Sequence, residues 1–117
     1  MLRERYNLVP PTIQRDAGVD GQRVVLDRYQ ALVVRLDEDP LYGQRWELTP
    51  LQSHVVVAPV QHDYMVAPGT DPRAAVPGVA VFRFRGVAPG VQPVELRYKR
   101  PNEDTASRTL RFDVAVR

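Results

Sequence analysis

The side chains that could do chemistry in this chain are few, and they are not grouped for it. His54 and His62 are its two histidines, and a metal site would need both to converge with a carboxylate such as Asp63, with no denser ligand cluster around them. Ser53 and Ser107 lack the glycines of a nucleophile elbow. With no cysteine, the chain has no thiol nucleophile, no disulfide and no thiolate metal site. Asp37-Glu38-Asp39 offers paired carboxylates, yet three adjacent acids before a turn read first as a solvated shoulder that keeps a sheet end soluble. No glycine-rich phosphate cradle is present. Sixteen basic and fourteen acidic residues are interspersed, giving a net charge of +2 with no basic block for nucleic acid or a lipid surface. No apolar run approaches the ~20 residues of a membrane span. The expectation is a protein that is not an enzyme and needs no cofactor or metal. It binds no nucleic acid and inserts into no membrane. What remains is recognition by loops.

The stretch best suited to recognition is Asp39-Pro40-Leu41-Tyr42-Gly43. Pro40 fixes its own φ and disfavours helix at Asp39, while Gly43 can take the positive φ at which a tight loop returns. Leu41 and Tyr42 therefore stand at the tip of a rigid excursion. Two readings of this tip are open: one of the two side chains folds back beside Trp46, or the apolar tip enters another protein's groove.

The elements that must hold this tip are short strands. Eleven prolines, seven glycines and many valines, with no long helical period, indicate an all-β domain. Residues 1–19 read as an N-terminal arm, frayed over Met1 to Arg5, with an edge strand between Tyr6 and Gln14 where Pro10-Pro11 removes two backbone donors. Residues 20–117 read as the sandwich proper, so that the chain forms one domain. Gln22 to Leu26 is a short strand. In Ala31 to Leu36, Leu32, Val34 and Leu36 share one face and Arg35 takes the other. Gln44 to Leu48 alternates again, with Trp46 expected in the core. His54 to Val60 is continuously apolar after its histidine and reads as a strand covered on both faces. Gln61 to Gly78 is expected to be irregular, being punctuated by Pro68-Gly69, Asp71-Pro72 and Pro77-Gly78. Val79 to Arg85, Val94 to Lys99 and a last run carrying Leu110, Phe112, Val114 and Val116 all alternate. Seven or eight antiparallel strands in a two-sheet sandwich follow.

Three of these stretches together resemble the chagasin-type inhibitors of papain-like cysteine proteases. Asp39-Pro40-Leu41-Tyr42-Gly43 followed by Trp46 stands where that family has Asn-Pro-Thr-Thr-Gly and a strand with a tryptophan. Ala75-Val76-Pro77-Gly78 lies where the family has a glycine-rich Gly-X-Gly-Gly ahead of a strand. Tyr98-Lys99-Arg100-Pro101-Asn102 lies where it has a strand-ending aromatic and then Arg-Pro-Trp. The similarity of layout runs from about Asp20 to Val116. It implies an immunoglobulin-like β-sandwich whose three loops wedge into a protease cleft.

Carried over position by position, the resemblance implies a partner-binding set of Asp39, Pro40, Leu41, Tyr42, Gly43, Val76, Pro77, Gly78, Arg100, Pro101 and Asn102. Pro40, Gly43, Arg100 and Pro101 match the family. Leu41 and Tyr42 replace its threonines, Asn102 replaces its aromatic, and Gly78 alone remains of the middle-loop glycines. Arg100 either pairs with an acid of its own loop, such as Asp104, or contacts the partner. The implied function is reversible inhibition of a papain-like cysteine protease by a monomer. The second reading is a protein-binding module on the same scaffold whose diverged loops no longer inhibit such enzymes. Composition fits a GC-rich bacterial coding bias. The compartment is periplasmic or secreted if a signal peptide has been removed, and cytoplasmic otherwise.

Overall fold

The computed structural model describes residues 10–71 and 73–117. Among these residues, eight strands form two four-stranded sheets. They are β1 (Ile13–Arg15), β2 (Arg23–Leu26), β3 (Ala31–Glu38), β4 (Arg45–Leu48), β5 (Val57–Met65), β6 (Gly78–Gly86), β7 (Gly90–Lys99) and β8 (Arg108–Val116). One sheet has the order β1-β3-β6-β5 and the other β2-β8-β7-β4. The expected frayed residues Met1 to Arg5 lie outside the described region.

Consecutive strands are joined by short connections and run in alternating directions, so odd-numbered strands point one way and even-numbered strands the other. That alternation corrects the all-antiparallel expectation. Where two strands of like parity lie side by side they must be parallel, and this happens twice: β1 pairs with β3 and β2 with β8. The remaining pairings are antiparallel.

The core lies between the sheets and is built by alternation. Leu32, Val34 and Leu36 of β3, Ala80, Phe82 and Phe84 of β6, Val94 and Leu96 of β7, and Leu110, Phe112, Val114 and Val116 of β8 all face inward and are buried. Trp46 is 1% exposed and tilts against Tyr98 with ring centroids 5.1 Å apart, closing the core at one end.

Three expectations shift. The first strand is Ile13–Arg15, just beyond the Pro10-Pro11 pair, and it does take a sheet edge. The strand expected from His54 to Val60 begins at Val57 and continues to Met65. It is not covered on both faces, because it is the other edge of that sheet, with Val60 to Asp63 exposed. Pro59 is tolerated inside it beside a register shift at Pro59/Gln61, since an edge strand can spare a donor. The irregular segment expected from Gln61 to Gly78 is accordingly shorter, and the connection between β5 and β6 spans 66–77.

Candidate functional site

Strand registers bring three loops to one end of the molecule. Glu38 at the end of β3 lies opposite Gly78 at the start of β6, and Met65 at the end of β5 lies opposite Val79. In the other sheet, Arg45 at the start of β4 lies opposite Lys99, and Tyr98 lies opposite Arg108. The β3–β4 loop around Asp39–Gly43, the β5–β6 loop and the β7–β8 loop from Arg100 therefore share an edge. The β1–β2 turn opens the same way but is set back, because Arg15 pairs with Val34, well short of the end of β3.

The first loop is a single 3-10 turn over Pro40–Tyr42. Asp39 caps its start by accepting from the Leu41 N–H at 3.1 Å, and Pro40 fits the first turn because no backbone donor is needed there. Gly43 closes it at φ 78°, donating its N–H to the Pro40 carbonyl at 2.8 Å. Leu41 is 59% and Tyr42 72% exposed. Neither folds back beside Trp46; that position belongs to Tyr98.

The base of the loop corrects the reading of the acidic run. Glu38 is 2% exposed, and its carboxylate accepts from Arg45 Nε and from the Trp46 backbone N–H, each at 2.6 Å. The Trp46 indole N–H donates to the Asp37 carbonyl at 2.9 Å. Glu38 is therefore a buried anchor, because it ends a strand whose inward face reaches the first residues of β4. A buried carboxylate with two charge-assisted or backbone donors is satisfied where a lone one would be costly.

The third loop is tied to the first. Tyr98 Oη donates to the Asp39 carbonyl at 2.8 Å and accepts from the Asp39 N–H at 3.1 Å. Arg100 Nε donates to the Tyr42 carbonyl at 2.7 Å, and its terminal nitrogen pairs with Glu103 at 3.2 Å. The acid inside its own loop is thus Glu103 and not Asp104, whose carbonyl instead accepts from Arg97. Pro101 and Asn102 are exposed at the loop's edge.

The middle loop hangs on Tyr64. Its hydroxyl donates to the Val76 carbonyl and lies 3.5 Å from the Glu38 carbonyl, while Arg45 stacks on its ring with the guanidinium carbon 4.6 Å from the centroid. Burial, and then the Glu38 carboxylate, push the Tyr64 phenol above its ordinary value, so it stays protonated as a donor. Val76 is half-buried and Pro77 exposed. Gly78 belongs to β6, where an added Cβ would fall 2.4 Å from the Met65 carbonyl and 2.7 Å from the Tyr64 ring. Its smallness serves close strand packing.

Of the eleven residues expected to bind, Asp39, Leu41, Tyr42, Gly43, Pro77, Arg100, Pro101 and Asn102 are exposed at this end, and Pro40, Val76 and Gly78 are half-buried. Sequence reasoning missed Glu38, Tyr64 and the double role of Tyr98. The period-two pattern of β7 places Tyr98 inward beside Leu96, but nothing in the pattern shows its hydroxyl reaching Asp39.

A two-sheet sandwich of the immunoglobulin type that displays three mutually tied loops at one end is a scaffold for recognition. A profile of the chagasin family of peptidase inhibitors, I42, matches residues 26–116, and the chain belongs to that family. Solved structures of low sequence identity share its fold. The cysteine protease inhibitor EhICP2 from Entamoeba histolytica superposes with a TM-score of 0.76 at 16% identity, covering 94% of this chain and 98% of its own. Amebosin gives 0.77 at 19% identity, covering 92% and 100%. PbICP-C, solved in complex with falcipain-2, gives 0.63 at 13% identity, also covering 92% and 100%. Comparison with curated protein sequences finds no match.

Proposed function

We propose that the chain is a reversible inhibitor of papain-like cysteine proteases that acts by occupying the active-site cleft, with no chemistry of its own. The observation that carries this reading is the exposed Leu41-Tyr42 tip, held on a capped 3-10 turn at the centre of the three-loop edge. Membership of a peptidase-inhibitor family supports it, as do structural relatives described as cysteine protease inhibitors, one of them in complex with falcipain-2. A preformed tip loses little conformational freedom on docking, so its apolar contact converts more fully into affinity. Leu41 and Tyr42 enter the cleft, with Pro101 and Asn102 on one flank and the 66–77 loop on the other.

The test is steady-state inhibition of papain and a cathepsin L-like enzyme by the purified chain. The expected result is competitive inhibition with a nanomolar Ki and an inhibitor recovered uncleaved. Absence of inhibition up to high micromolar concentrations would overturn the reading in favour of a module that binds another protein.

A further inference from the structure

The tip of the first loop is gripped from outside at both ends, by Tyr98 near the end of β7 and by Arg100 at the start of the third loop. Tyr98 Oη makes two hydrogen bonds to Asp39, one to its N–H and one to its carbonyl, at 3.1 and 2.8 Å. Asp39 is the residue that caps the turn. At the other end Arg100 Nε donates to the Tyr42 carbonyl at 2.7 Å, and the Arg100 stem lies along Gly43, where an added Cβ would stand 4.0 Å from Cγ. Glu103 holds the guanidinium from its far side. Between the grips, the side chains of Leu41 and Tyr42 stay exposed.

We infer that Tyr98 and Arg100 are positioning residues, which lock Leu41 and Tyr42 in their binding geometry before any partner arrives and weld the first and third loops into one rigid edge. Arg100 acts through the Tyr42 backbone, with donors already engaged by Tyr42 and Glu103. The inference deepens the proposed function and rests on its reading of the tip as the binding edge. A five-residue loop fixed only by its own turn samples other conformations, and apparent affinity falls in proportion to the fraction that is competent. Two grips anchored on a strand end keep that fraction near one. The 66–77 loop is held by a different residue, Tyr64, whose hydroxyl donates to the Val76 carbonyl and lies 3.5 Å from the Glu38 carbonyl at the base of the tip.

The experiment compares the wild type with Tyr98→Phe, Arg100→Gln and a control, Leu41→Ala, in the free protein and against papain. Tyr98→Phe keeps the ring that packs on Trp46 and removes only the hydroxyl. Arg100→Gln alters an exposed side chain, so it folds even if the first variant does not. In both, nitrogen-15 order parameters at the Leu41 and Tyr42 amides are expected to fall from about 0.85 to below about 0.6, with Tm unchanged. Ki is expected to rise about tenfold, as for a competent fraction reduced to about a tenth. Leu41→Ala should raise Ki while leaving the order parameters unchanged. Unchanged order parameters in both Tyr98→Phe and Arg100→Gln would overturn the inference, and so would a mobile tip with an unchanged Ki. A wild-type chain that inhibits neither test protease would remove the inhibitor reading alone, because the relaxation data would still decide whether the lock exists.

Discussion

Leu41 and Tyr42 carry a claim that separates binding from stability. Both are exposed and neither touches the core cluster, so Tyr42→Ala should leave Tm within about 2 °C of wild type, as expected for a surface change, while weakening inhibition at least tenfold. A large thermal loss would show that the ring is structural. Glu38 makes the opposite claim. Glu38→Ala strips the buried Trp46 N–H of its acceptor and Arg45 of its ion partner, and should cost about 3 kcal/mol, or roughly 10 °C in a domain of this size. A melting shift below about 2 °C would mean that water replaces the carboxylate. The two residues also mark what the sequence could tell. Pro40 and Gly43 bracket the tip by backbone chemistry alone, so the turn was legible, but whether a tip side chain folds back beside Trp46 was open until Tyr98 was seen to fill that position. Glu38 sits in a run of three acids that reads as solvated, and only the register placing it beside β4 reveals the donors that make burial tolerable.

At the scale of elements, β5 was the hardest to read, and its pairing with β6 is closely constrained. Pro59 and the turn signals beyond it hide a nine-residue edge strand, because edge strands lack the strict alternation that burial imposes. The loop that follows starts at residue 66 only because Gly78 allows β6 to approach Tyr64 and Met65. Gly78→Ala drives a Cβ into the Met65 carbonyl and should cost about 1–3 kcal/mol by overpacking, read as a shift in the denaturation midpoint with an unchanged m-value. A neutral effect would mean that the strand ends are slack. By contrast, β3, β6, β7 and β8 alternate so regularly that their inward faces followed from the period alone.

Strands β7 and β8 also set an acid limit. Arg111 Nε donates to one Glu95 carboxylate oxygen at 2.7 Å, the Thr49 hydroxyl donates to the other at 2.9 Å, and these bonds, Arg111 first, hold the Glu95 carboxyl below its ordinary value of 4.5. A lowered value in the folded state means that the stabilisation is fully present above the ordinary carboxylate range and is lost as pH falls through the lowered one. Arg111→Ala should therefore lower stability at pH 7, by no more than about 1 kcal/mol because the pair is part-exposed, and converge with wild type once pH falls well below the ordinary carboxylate range. Parallel stability curves at all pH values would show that the pair contributes nothing through charge.

For the whole molecule, one topological rule organises function. Because direction alternates with strand number, all connections that follow odd strands open at the same end, and those after β3, β5 and β7 become a single edge joined through Tyr98, Arg100 and Tyr64. The sandwich was legible from strand count and turn spacing, and the loop positions from the resemblance to the chagasin-type inhibitors. The ties between loops were not, since they join side chains to backbone groups up to 59 residues away. The central claim is that this edge fills a protease's active-site cleft. The measurement that tests it most directly is binding of the chain to papain before and after the catalytic cysteine is covalently capped with a bulky peptidyl group filling the cleft. The account predicts that affinity falls at least a hundredfold on capping. Equal affinity for the free and capped enzymes would place the contact elsewhere and contradict it.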